Sequence, residues 1–114
     1  MLQKTKDAYL LWHSYCLIIP KTHRYSLGKK IDDVFIEIIE SLVTASFLTK
    51  EEKLPHVHFA VKKIDMLKIL LMILWETKSL DNKKYIALSI KIDEIGKMTG
   101  GWRGQLLKQN SPNK

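Results

Sequence analysis

Asp93-Glu94-Ile95-Gly96-Lys97-Met98-Thr99-Gly100-Gly101-Trp102 puts three glycines where the surrounding pattern is helical. Tyr85, Leu88, Ile92, Ile95, Thr99, Trp102 and Leu106 recur at steps of three and four, which lines them along one helix face. A glycine inside a helix costs about 1 kcal/mol relative to alanine. Two readings fit. In one, the helix ends at Gly100-Gly101 and Trp102 folds back onto the core. In the other, the helix continues, and its glycines let another backbone come close. The apolar phase survives the glycines and reaches Trp102 and Leu106, which favours the second reading. Gly96, Gly100, Gly101 and Trp102 are therefore candidate structural positions.

Working outward from this stretch, three further helical segments emerge. The first runs from about Thr5 to Ile19, with Ala8, Leu11, Trp12, Tyr15 and Ile19 on one face. Pro20 ends it, because the residue before a proline avoids the helical region. The second runs from His23 to Phe47 on Leu27, Ile31, Val34, Phe35, Ile38, Leu42 and Ala45, with Ser26 or Thr22 as a possible cap. Lys50 to Leu54 reads as a polar connection. Pro55 suits a first helical turn and starts the third segment, which continues to Lys78 on Ala60, Ile64, Leu67, Leu71 and Leu74. The glycine-bearing helix is the fourth, from Lys83 to Leu107, capped by Asp81 or Asn82. The pattern predicts an all-α protein. Short loops between long helices favour an antiparallel up-down-up-down four-helix bundle over residues 1–108. Residues 109–114 are expected to form a disordered tail.

The third helix carries a surplus of apolar surface. From Asp65 to Trp75 it is apolar nearly all round, and such a helix needs burial on more than one side. The spare face of Ile69, Met72, Ile73 and Trp75 is a candidate oligomer interface.

The 114 residues suit one domain, and 46% hydrophobic content suits a folded core. Cys16 is the only cysteine, which excludes an intramolecular disulfide and an all-cysteine metal site. Met1 to Asp7 is polar and Leu17-Ile18-Ile19 is too short for a signal-peptide core, so a reducing, cytoplasmic setting is expected. Ile69 to Trp75 falls far short of the ~20 residues that span a bilayer, so no membrane partner is expected. The net charge of +7 attracts polyanions such as RNA or DNA. Candidate phosphate contacts are Lys21, His23, Arg24, Lys29 and Lys30 around the second helix, Lys62 and Lys63 on the third, and Lys84 and Arg103 on the fourth. Such contacts give affinity without sequence selectivity.

Enzyme signatures are weak. Asp33, Glu37 and Glu40 share a helix face, but a di-iron bundle needs Glu-x-x-His pairs and the chain has none. His13 and Cys16 are a turn apart with no partner elsewhere, and His56 and His58 point to different sides of a helix. No nucleophile motif and no phosphate-cradling glycine loop occurs. No catalytic residue, metal or cofactor is expected.

Ile19-Pro20-Lys21-x-His23-Arg24-Tyr25-x-Leu27-Gly28-x-Lys30, a leucine-rich third helix and the Glu94-Ile95-Gly96-x-x-x-Gly100-Gly101-Trp102 piece carry a resemblance. From Tyr9 to Leu107 the chain resembles the accessory variability proteins of diversity-generating retroelements. It is more distantly similar to the bundle proteins encoded within intervening sequences of large ribosomal RNA genes. Thr99 stands where the first family more often has leucine, a departure expected to loosen packing there. The resemblance implies a homopentameric barrel of four-helix bundles with a positive surface. It implies a non-catalytic accessory protein that binds the element's reverse transcriptase and RNA or DNA and assists adenine-mutagenic cDNA synthesis. On the residues that match, Lys21, His23, Arg24 and Lys30 are basic contacts, and Gly96, Gly100, Gly101 and Trp102 are structural. Five copies at +7 each would carry +35, which calls for a bound polyanion. The alternative, from the second resemblance, is a scaffold with no polymerase partner.

Overall fold

Pro20 shapes the first bend of the chain in the computed structural model, which describes residues 1–110. Helix α1 runs Leu2–Tyr15, and one 3-10 turn, Cys16–Ile18, follows. Ile19 is extended at ψ 131°, the conformation a following proline demands. The helix expected to reach Ile19 thus stops at Tyr15. Pro20 then opens a single helical turn, α2 (Lys21–Arg24).

The helix expected from His23 instead begins at Leu27, as α3 (Leu27–Ser46). Gly28 lies against the break: a Cβ there would lie 3.2 Å from the His23 carbonyl oxygen, a tight contact, so the absence of a side chain at residue 28 eases the packing of α2 onto the start of α3. Ser26 occupies the cap position without capping; its hydroxyl donates to the Thr22 carbonyl at 3.3 Å.

Helix α4 (Lys50–Glu76) starts earlier than expected, and Pro55 lies inside it. The reason is a capping box. The Thr49 N–H donates to Glu52 Oε1 at 3.2 Å and the Thr49 hydroxyl to the same oxygen at 3.0 Å. These bonds, the backbone one foremost, hold the Glu52 carboxyl below the usual carboxylate range. At the other end, Lys78 turns left-handed (φ 63°). The Lys78 and Ser79 amides then donate back to the Trp75 and Leu74 carbonyls at 2.9 and 3.0 Å, a Schellman termination.

Helix α5 (Asn82–Gln109) is capped by Asp81, whose Oδ1 accepts from the Lys84 N–H at 2.8 Å. It runs unbroken through Gly96, Gly100 and Gly101, which overturns the reading that ends the helix there. Of the expected tail, Gln109 is helical and Asn110 closes the helix; residues 111–114 lie outside the described residues.

Every described element is helical, and the helices form a rod with extents of 52 × 20 × 20 Å. α3 packs on α4 and α4 on α5, while α1 lies against both α5 and α3. Along each pair, residues meet in opposite order: Glu37 meets Lys63 and Ala45 meets Val57, while Lys68 meets Asp93 and His58 meets Arg103. The main core holds Trp12, Phe35, Ile38, Leu67, Leu71, Leu88 and Ile92. With 14 residues, α1 covers about 21 Å, half the length of the 28-residue α5. The far end of the rod is therefore built by α3, α4 and α5, with its own small core of Ala45, Val57 and Leu106; Trp102 packs against both cores. Thr99 is fully buried yet satisfied, its hydroxyl donating to the Ile95 carbonyl at 2.7 Å.

A Cβ added at Gly96 would lie 3.3 Å from Lys68 Nζ and 3.5 Å from an Ile64 methyl. At Gly100, Gly101 and Gly104 it would meet nothing within 4 Å. Among the described residues of one protomer, then, no backbone lies close to Gly100 or Gly101, and these two positions are bare helix surface. Gly101→Ala is expected to raise stability by about 0.5–1 kcal/mol in urea unfolding, by removing the entropy cost of a helical glycine. A loss of stability would show that this strip is covered by another chain.

Candidate nucleic-acid and protein interfaces

The candidate cations separate into two kinds once their neighbours are known. Arg24 is spent on the backbone: Nε donates to the Ile19 carbonyl at 3.2 Å and Nη2 to the Leu17 carbonyl at 2.7 Å. These are the carbonyls that the 3-10 turn leaves without helical donors. His23 Nδ1 lies 2.6 Å from the Ser79 hydroxyl and ties α2 to the α4–α5 turn. Lys29 pairs with Asp33 at 2.9 Å, Lys63 with Glu37 at 3.5 Å, and Lys84 with Asp81 at 3.0 Å. Exposed ion pairs add little stability, but they lower the charge that a ligand meets.

Lys21, Lys30, Lys62 and Arg103 form no ion pair among the described residues. They are not brought together. Lys21 opens α2, whose His23 reaches the Ser79 turn, and Lys30 lies in the first turn of α3, whereas Arg103 sits against His58 near the start of α4. The stretch of α4 from His58 to its end at Glu76 corresponds to about 27 Å. His58, Lys50 and Lys53 join the Arg103 end: Lys53 Nζ sits 5.5 Å from the Trp102 ring centre, and Asn110 Nδ2 donates to the Lys50 carbonyl at 3.3 Å. Sequence reading passed over these three as phosphate contacts. His58 meets Arg103 across 45 residues, and no local signal marks that.

The candidate oligomer residues also divide. The Trp75 indole stacks on Tyr85 with ring centres 4.9 Å apart and donates to Asn82 Oδ1, so much of it serves the α4–α5 contact. Met72 lines a crevice with Tyr85 and Ser89 on the same flank. Ile69 reaches the same crevice but is more exposed, at 53%, and Ile73, Met66 and Phe59 are also exposed and form an outer stripe of α4 with it. A second apolar surface was not legible from sequence. Where α1 begins, Met1, Leu2, Leu42, Met98, Gly101 and Trp102 line an open groove of about 570 Å³. Phe47, 83% exposed, follows Ser46 at its edge.

Titratable groups inside the rod serve packing. Asp32 accepts from the Tyr9 hydroxyl at 2.9 Å and from Trp12 Nε1 at 3.3 Å. Burial, then the Asp32 carboxylate, pushes Tyr9 up to about 12. Burial also raises the Cys16 thiol, which disfavours the reactive thiolate. Among the described residues, no group of three or more His, Cys, Asp or Glu side chains is placed to hold a metal ion, and no helix is long and apolar enough to cross a membrane.

In comparison with known proteins, the family model described as bAvd-like matches residues 1–106. Neither a curated protein nor a solved structure matches significantly.

Proposed function

We propose, because this chain belongs to the bAvd-like family, that it is a non-catalytic accessory protein of a diversity-generating retroelement. In this reading the helical rod is an antiparallel up-down-up-down four-helix bundle, five of which close into a barrel. The barrel binds the element's reverse transcriptase and its template RNA or cDNA and supports mutagenic cDNA synthesis. The polymerase carries out the chemistry.

The family match over nearly the whole chain carries the reading. Three physical features support it. The net charge of +7 sits on a rod whose acidic side chains are mostly engaged, leaving cations for a polyanion. The outer stripe of α4, from Phe59 through Met66 and Ile69 to Ile73, is apolar surface of the kind that contacts protein. The groove at the α1 start is a concave apolar surface suited to a protein partner.

The deciding experiment is co-purification with the reverse transcriptase encoded beside it, followed by mass measurement of the complex. A complex containing several copies of this chain per polymerase is expected; a polymerase that elutes alone overturns the reading. RNA binding is also expected to weaken steeply with salt. The slope of log affinity against log salt should be about −0.7 for each phosphate contact on single strands. Anisotropy titrations between about 50 and 200 mM salt measure it, and a flat response contradicts phosphate contacts.

A further inference from the structure

The face shared by the start of α4 and the end of α5 holds an arrangement that packing does not explain. Arg103 Nη1 lies 3.4 Å from His58 Nδ1. A guanidinium only donates, so an imidazole beside it either accepts there or stands as a second cation. Among the described residues neither side chain is in an ion pair with a carboxylate, and neither is Lys62, one turn along α4 from His58. His58 and Arg103 form the polar wall of a groove of about 370 Å³ whose other lining is Leu54, Pro55 and Leu107. Beside it on α5, Gly100 and Gly104 flank Arg103 in sequence, and a Cβ at either would meet nothing within 4 Å. The result is a strip of bare helix edged by cations, with an apolar floor.

We propose that this strip seats the phosphodiester backbone of a nucleic-acid strand. One phosphate would accept from Arg103 and His58 together, a neighbouring phosphate would meet Lys62, and the bare glycines would let the sugar–phosphate chain come close. The proposal rests on the nucleic-acid reading above and places its contact. Charge complementarity decides against a second copy of this chain as the occupant. Of the twelve carboxylates, eight are already engaged. Asp33, Glu37, Asp81, Asp93 and Glu94 are in ion pairs. Asp7, Asp32 and Glu52 accept hydrogen bonds. Among the described residues a copy thus brings four side-chain carboxylates not so engaged, Glu40, Glu51, Asp65 and Glu76, scattered over α3 and α4, whereas a strand brings one charge per nucleotide. The proposal also moves the contact away from the Lys21–Lys30 end, where His23 and Arg24 already serve the fold.

The test is anisotropy of a labelled single-stranded RNA against the full chain over a salt series, with light scattering on each variant. His58→Gln combined with Arg103→Gln is expected to weaken binding about tenfold or more and to flatten the salt slope, as loss of two charge-assisted contacts requires. Gly100→Leu combined with Gly104→Leu changes no charge and faces open space, so it should keep its helicity and yet bind at least fivefold more weakly. Lys21→Gln with Lys30→Gln should stay within about threefold of the parent. Parent-like binding by both strip variants overturns the placement, as does a strip variant whose mass changes, since the face would then join copies. A parent chain that fails to bind RNA at low salt overturns the nucleic-acid reading itself.

Discussion

Replacing Trp12 with alanine is expected to lower the unfolding free energy by about 3–5 kcal/mol, the cost of emptying a large aromatic site. Trp12 is fully buried, lies 6.4 Å from Phe35 in a stacked arrangement, and donates from Nε1 to Asp32. The other buried residues of α1 are Thr5 and Ala8, which contribute little apolar area. Trp12 is therefore the main anchor that holds α1 against α3 and α5. The Asp32 carboxylate would also lose one of its two donors. A domain of this size has about 5–15 kcal/mol of stability in all, so the loss is a large share of the total. Urea unfolding followed by circular dichroism measures the change. Trp12→Phe, which keeps most of the apolar volume, should recover much of the loss. A Trp12→Ala loss under about 1 kcal/mol would mean that α1 is held by something other than this packing.

The second large effect concerns assembly. If the proposed assembly uses the outer stripe of α4, Ile69→Asp combined with Ile73→Asp is expected to leave only a protomer of 13.3 kDa by light scattering. Both side chains belong to the outer stripe of α4 and are substantially exposed in the single protomer. Aspartate there is harmless to the isolated rod but buries two charges if a second rod covers the stripe. Trp75 and Met72 are poorer probes. The Trp75 ring stacks on Tyr85 and bonds to Asn82, so changing it would disturb the α4–α5 contact as well as any interface. A double aspartate variant with the parent mass would remove this stripe from the assembly and point to the groove beside Met1 and Trp102.

Much of the rod was legible because helix burial is periodic. Ile31, Val34, Phe35, Ile38, Leu42 and Ala45 recur at helical spacing and are all buried; so are Ala60, Ile64, Leu67, Leu71 and Leu74, and Leu88, Ile92, Ile95 and Leu106. Boundaries were less legible. Thr49-Lys50-Glu51-Glu52 carries the capping-box pattern, but Pro55 offered a competing start; the helix begins at Lys50, with Thr49 bonded to Glu52, and carries Pro55 inside it. The break at Tyr25 and Ser26 had no composition signal. It brings the His23 carbonyl over Gly28, a contact made only after α2 has turned. Thr99 looked like a loosened position, yet its hydroxyl bonds within its own helix and costs no partner elsewhere.

By itself the sequence determined the all-helical class, the buried face of each long helix and the excess of positive charge. These follow from residue type and from spacing within a few turns. Only the tertiary structure decided which cations are available. Lys63 is engaged because Glu37 lies across the α3–α4 seam, and Arg24 because the turn before it exposes two carbonyls. Arg103 stands beside His58 rather than beside an acid. Charge is a property of a residue, but its neutralisation is a property of whatever the fold brings within a few ångströms of it. For this chain some of those neighbours lie 45 and 56 positions away, where no local pattern reaches.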